Sequence, residues 1–175
     1  MRTLVLGGIR SGKSRWAEEI MAGDYPVRYV ATGAAADADS SWARRVAEHR
    51  ERRPASWMTV ETTDLAVLLG DDAATPTLVD DLGGWLTAAL DRRGWDGGSV
   101  ADDVDELVDA VEQFAAPLAL VSPEVGLSVV AATAAGRRFT DELGTLNQRL
   151  AQHCEQVVLV VAGLPLWVKR TKAPN

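Results

Sequence analysis

At 175 residues the chain has room for one domain with a real hydrophobic core, and 47% hydrophobic with 25% charged residues describes an ordinary globular protein. A formal net charge of −7 argues against a general nucleic-acid or membrane-surface binder, because either needs a basic face. Cys154 is the one cysteine, which excludes an intrachain disulfide and a Cys-rich metal site; with no signal peptide and no apolar run near membrane-spanning length, a cytoplasmic location is expected.

Residues 3–6 form a short apolar run that reads as a strand, and residues 13–21 follow a helical pattern. Between them Gly7-Gly8-Ile9-Arg10-Ser11-Gly12-Lys13-Ser14 fits G-x-x-x-x-G-K-[ST], in the strand–loop–helix context that a phosphate-binding loop requires. Glycines let backbone N–H groups turn inward around phosphates, and the helix N-terminus adds positive dipole. Lys13 is then expected to reach the terminal phosphates of a nucleoside triphosphate, and the Ser14 hydroxyl to ligate Mg²⁺.

A second strand is expected over residues 27–31 and a basic helix over 41–52. On that helix Arg45, His49 and Arg52 follow i, i+4, i+7 spacing and share one face. A histidine between two arginines is biased toward neutral imidazole, the nucleophilic form, and the arginines could hold a polyphosphate beside it. A surface histidine on a salt-bridged helix, with Glu48 and Glu51 nearby, is the alternative. Strands at 58–61, closed by Glu61, and 77–80 flank a helix near 65–69.

Asp80 and Asp81 end the run Leu78-Val79. An acidic residue at the end of a neighbouring strand holds Mg²⁺ in P-loop proteins. Successive strand residues point to opposite faces, so one of the two is expected to face the nucleotide, Asp80 being favoured; capping of the next helix is the alternative. That helix is expected over 85–91, then a loop at 94–98 and a helix over 102–114, with Ser99 and Asp102 resembling a capping box. After a strand at 118–122, Glu124 stands where ligand crevices of open α/β sheets form, as a second metal or substrate contact or as the start of a helix. Arg137 and Arg138 open a helix over 136–153, as phosphate ligands or as surface charge. Strands at 157–161 and 166–169 follow. Short non-alternating apolar strands separated by helices indicate an α/β fold with a parallel sheet covered on both faces. Residues 1–170 are expected to form a single catalytic domain, with 171–175 as a short tail.

Several separated segments together resemble the bifunctional adenosylcobinamide kinase/adenosylcobinamide-phosphate guanylyltransferases of cobalamin biosynthesis. Gly7 to Ser14 resembles that family's GGxRSGKS, and Tyr29-Val30-Ala31-Thr32 its Y-[IV]-A-T. Arg45 to Pro54 with Trp57 to Glu61 resembles RIxxHRxxRPxxWxTxE; Glu124-Val125-Gly126-Leu127 resembles EVG[LM]; Gly144-Thr145-Leu146-Asn147-Gln148 resembles GxxNQ. The resemblance implies a RecA-like P-loop NTPase fold, mostly parallel and flanked by helices, with one antiparallel C-terminal strand. It implies ATP or GTP as phosphoryl donor with Mg²⁺, adenosylcobinamide and its phosphate as acceptors, and GTP guanylylating the histidine that matches His49. It also implies nucleotide contacts at Glu61 and Asp80 besides the loop, and a homotrimer with sites between subunits. The chain departs from the family at Glu48 (usually His), Asp81 (Cys), Ser122-Pro123 (Thr-Asn), Ala131 (Pro) and Thr140 (Arg). Those departures keep open a kinase without guanylyl transfer and a non-catalytic nucleotide-binding regulator.

Overall fold

In the computed structural model, residues 1–33, 54–127 and 129–170 are described. The elements in chain order are β1 (Arg2–Gly7), α1 (Lys13–Met21), β2 (Arg28–Ala31), β3 (Met58–Glu61), α2 (Leu65–Asp71), β4 (Thr77–Asp80), α3 (Leu82–Arg93), α4 (Ala101–Gln113), β5 (Leu118–Pro123), α5 (Ala134–His153), β6 (Gln156–Val161) and β7 (Leu164–Arg170). The expected helix over 41–52, with Trp42, Arg45, His49 and Arg52, and the tail 171–175 lie outside the described residues.

The strands form one sheet in the order β3-β2-β4-β5-β1-β6-β7. Every pairing is parallel except β6 with β7. Burial explains the apolar runs: β4 and β5 are covered on both faces, whereas the edge strands β3 and β7 are largely exposed. Alternation along β1 sends Leu4 into a core under α2 to α5 and Val5 into a smaller one under α1. The larger core is leucine-rich; the smaller includes Met21, Tyr29 and Trp57, and Trp167 packs edge-on to Trp16 at 5.7 Å, tying β7 to α1. No helix among the described residues is long and apolar enough to cross a membrane.

Two local expectations are corrected. The Ser99 side chain accepts from the Ala101 N–H at 3.1 Å and does not cap the turn at Asp102, so no capping box forms; α4 starts from Val100 without a side-chain cap. Helix α3 begins at Leu82, three residues before the expected start, because Asp81 caps it by accepting from the Gly84 N–H at 2.9 Å.

Candidate active site

Strand β1 delivers the chain to the carboxyl edge of the sheet, where it must turn sharply into α1. Arg10 and Gly12 adopt positive φ (55° and 92°), and the Ser11 N–H closes the turn on the Gly8 carbonyl at 3.2 Å. A glycine meets the left-handed geometry at position 12 without a Cβ clash. A Cβ on Gly7 would stand 2.3 Å from Ser11 Oγ and 2.8 Å from the Val160 carbonyl, so the loop packs against its own strand and β6. Helix α1 then opens at Lys13, whose Nζ lies 3.5 Å from the Gly8 carbonyl, folded back over the loop, while Ile9 at the tip is 94% exposed. The outcome is a nest of backbone amides at a helix N-terminus with an ammonium beside it, which suits a polyphosphate.

The loop is braced from behind by the β6–β7 hairpin, a support that sequence reasoning missed. The Gly163 N–H donates to the Ser11 carbonyl at 2.7 Å. Ala162 and Gly163 both have positive φ (52° and 79°), as a two-residue hairpin turn demands. The signal was a small-residue pair between two apolar runs, but nothing local says that it touches residue 11.

Asp80 and Asp81 part as strand alternation requires. The Ser14 hydroxyl donates to Asp80 Oδ1 at 3.1 Å, and the Tyr29 hydroxyl to Asp80 Oδ2 at 2.7 Å. Asp81 turns the other way to cap α3, its carbonyl accepts from the Thr32 hydroxyl, and its carboxyl pKa is raised, by burial first and then by the Asp80 charge. One detail is corrected: β4 is not beside β1, since β5 lies between them, and Asp80 reaches Ser14 across that strand. A serine hydroxyl and a carboxylate oxygen this close are hard oxygen donors of the kind Mg²⁺ takes alongside nucleotide phosphates, so the residues fit that ion.

The strand next to β1 on that side ends at Pro123, and the following Glu124 N–H donates to the Gly7 carbonyl at 3.0 Å. The Glu124 carboxylate folds onto its own loop, accepting from the Gly126 N–H at 2.6 Å. It starts no helix, because α5 begins only at Ala134, which removes the helix-initiating reading. Asn147, 7% exposed, locks this corner: Ser122 Oγ donates to its Oδ1 at 2.6 Å, and its Nδ2 donates to the Pro123 carbonyl at 3.1 Å. The Asn of the GxxNQ segment was visible in the sequence; its partner strand was not.

Glu61 pairs in register with Ala31, and Ala31 with Asp80, so both carboxylates stand at one level of the sheet, two strands and roughly 10 Å apart. Arg137 donates to the carbonyls of Ala131 and Ala132 at 3.1 and 3.0 Å, and Arg138 to those of Gly94, Trp95 and Gly98. These guanidiniums hold loops. Thr140 donates to the Gly136 carbonyl of its own helix at 2.8 Å. The chain leaves the carboxyl edge at Gly33 and re-enters the described structure at Pro54; His49, Arg45 and Arg52 lie between.

Comparison with known proteins bears on the family and the fold. A sequence model of the family described as cobinamide kinase/cobinamide phosphate guanyltransferase matches residues 3–168. The bifunctional adenosylcobalamin biosynthesis protein CobP of Pseudomonas aeruginosa is 43% identical over 97% of this chain and 98% of its own length. The CobU proteins of Salmonella typhimurium and Escherichia coli are 37% and 32% identical, over 97% of this chain and all of theirs. Among solved structures, an ATPase from the type III secretion system of pathogenic bacteria superposes with a TM-score of 0.55 at 14% identity, over 95% of this chain. The chain spans 56% of that ATPase's length, and the likeness shows the P-loop ATPase fold. By sequence along nearly its whole length, the chain belongs to the cobinamide kinase/cobinamide phosphate guanyltransferase family of transferases.

Proposed function

We propose that the protein phosphorylates adenosylcobinamide with ATP or GTP, and then transfers GMP from GTP to adenosylcobinamide phosphate through His49, giving adenosylcobinamide-GDP. The observation that carries this is the convergence of Lys13, Ser14 and Asp80 on one glycine-turned loop, in a chain of this family.

In the kinase step the substrate hydroxyl attacks the γ-phosphorus, the bond to the β-phosphate oxygen breaks, and the hydroxyl proton is released. The loop amides and Lys13 hold the phosphates in line and neutralise the charge that develops on them. Ser14 and Asp80 would hold Mg²⁺, which would supply further charge neutralisation for the transferring phosphoryl group. In the second reaction the His49 imidazole attacks the α-phosphorus of GTP, forming a P–N bond as pyrophosphate leaves. A phosphate oxygen of adenosylcobinamide phosphate then attacks the same phosphorus, the P–N bond breaks, and His49 is restored. Glu61 is a nucleotide contact in this reading; Arg45, Arg52, Glu124 and Arg137 are contacts to phosphate or substrate. The enzyme works in the cytoplasm as a homotrimer.

Incubation with Mg²⁺ and GTP labelled in the α-phosphate tests it. Acid-labile protein-bound label, absent in His49→Asn, is expected. Phosphorylation of adenosylcobinamide without label would reduce the protein to a kinase, and neither activity would leave a nucleotide-binding regulator. Lys13→Ala should lower phosphorylation at least about 100-fold, and light scattering should give three times the chain mass.

A further inference from the structure

We infer that Tyr29 is a positioning residue for the metal-binding pair, holding the Asp80 carboxylate so that the carboxylate in turn orients the Ser14 hydroxyl. The inference rests on the Mg²⁺ reading of Ser14 and Asp80 given above.

Strands β2 and β4 run parallel, with Tyr29 opposite Leu78 and Ala31 opposite Asp80. By the two-residue period of a strand, Tyr29 and Asp80 share a face, one step apart along neighbouring strands. That face lies beneath α1, and the Tyr29 ring is 3% exposed there, tilted against the Trp57 ring at 6.4 Å. From this packed position its hydroxyl meets Asp80 Oδ2 at 2.7 Å, while Oδ1 takes the Ser14 hydroxyl at 3.1 Å.

A carboxylate at a strand end has a broad torsion about its last bond and can present either oxygen. A charge-assisted hydrogen bond to one oxygen removes that freedom and commits the other to Ser14. The serine has one proton; once Asp80 takes it, the lone pairs of Ser14 Oγ are left for a cation on the phosphate side. Tyr29 touches neither nucleotide nor metal in this scheme and acts through Asp80. Because its ring is fixed by apolar neighbours, Tyr29→Phe deletes the donor and keeps the packing.

Manganese binding read by electron paramagnetic resonance, in the presence of GDP, tests this without turnover. Tyr29→Phe should weaken Mn²⁺ binding roughly tenfold, with metal-free GDP binding changed less than about twofold. In an Asp80→Asn background the same substitution should have no further effect. A wild type that binds no Mn²⁺ with GDP overturns the metal reading itself. Equal Mn²⁺ binding by wild type and Tyr29→Phe overturns the Tyr29 inference alone. Should Tyr29→Phe fail to fold, the chain's two tyrosines allow a second readout. Tyr25→Phe protein grown on 3-fluorotyrosine gives one ¹⁹F resonance, from Tyr29. It should move when Mg²⁺ and GDP are added together and stay fixed in the Asp80→Asn form; a resonance indifferent to bound Mg²⁺ and GDP sinks the inference.

Discussion

Ser14 and Asp80 are joined by a 3.1 Å hydrogen bond although β1, which leads into the loop before Ser14, and β4, which ends at Asp80, are separated by β5. The contact works because α1 lies over β5 and carries Ser14 on its first turn, while Asp80 is the last residue of β4. Asp81, one residue on, turns the other way and caps α3.

The two aspartates should therefore respond differently to the same change. Asp80→Asn keeps the shape and removes the charge, and is expected to lower kcat/KM for phosphorylation about 10²–10³-fold. Asp81→Asn keeps the cap acceptor and should stay within about threefold. Its effect on stability has a definite sign. Burial raises the Asp81 pKa above the usual 3.8, so folding favours the protonated form. Whatever stability that form gives is fully present below about pH 3.8 and is lost as pH rises through the folded-state value. Asp81→Asn escapes this loss. Its melting temperature should exceed wild type by a few degrees at pH 7, and the difference should close below pH 4; scanning calorimetry across that range checks it.

The parts of this site legible in the sequence are those with local causes. Gly7 to Ser14 was readable because the turn, the amide nest and the start of α1 are set within eight residues. The split between Asp80 and Asp81 followed from strand alternation alone. What was not legible depends on chain segments far apart: β5 between β4 and β1, Gly163 behind Ser11, Asn147 on Ser122 and Pro123, and Tyr29 under Asp80. Strand order in a parallel sheet is set by crossovers, which leave no mark on the strands themselves. The same limit applies to Arg137 and Arg138, whose loop-carbonyl partners no spacing rule identifies.

Gly12 offers a test of the loop's backbone. At φ 92° an L side chain is strained, and a Cβ there would lie 3.0 Å from Gly163 Cα. Gly12→Ala should cost about 1–2 kcal/mol from conformation alone, and push the loop off the hairpin that braces it. Nucleotide affinity, read by a fluorescent GDP analogue, should fall at least about tenfold; affinity within twofold of wild type would show that the loop tolerates the shift.

Asn147 should matter to both stability and nucleotide binding. Truncation to Ala leaves the buried Ser122 hydroxyl and the Pro123 carbonyl without that partner. The expected loss is about 2–3 kcal/mol, seen in urea unfolding. Pro123 precedes Glu124, whose N–H bonds to Gly7, so the KM for nucleotide should rise several-fold in the same variant. Unchanged unfolding would show the corner to be held by packing alone.

At the opposite end of the sheet, Arg2 and Glu155 tie the starts of β1 and β6 together. The Arg2 backbone N–H and guanidinium both donate to the Glu155 carboxylate, Nη2 at 2.5 Å and Nε at 3.1 Å. Burial alone would raise the Glu155 pKa, but the hydrogen bonds from Arg2 outweigh it and hold it at about 2, against an ordinary 4.5. A depressed folded-state value means that this stability is present above about pH 4.5 and lost as pH falls toward 2. Glu155→Gln should therefore melt a few degrees below wild type at pH 7, because the pair is part-exposed and screened, and the gap should close on acidification. Arg2→Met should behave differently. Arg2 Nη1 also donates to the carbonyls of Val111 and Glu112 at the end of α4, and those bonds do not depend on any carboxylate. Its deficit should be larger at pH 7 and should persist in part at pH 2, where the Glu155 deficit has largely gone. A Glu155→Gln deficit that stays the same from pH 7 to pH 2 would mean that the charge on Glu155 contributes nothing of its own.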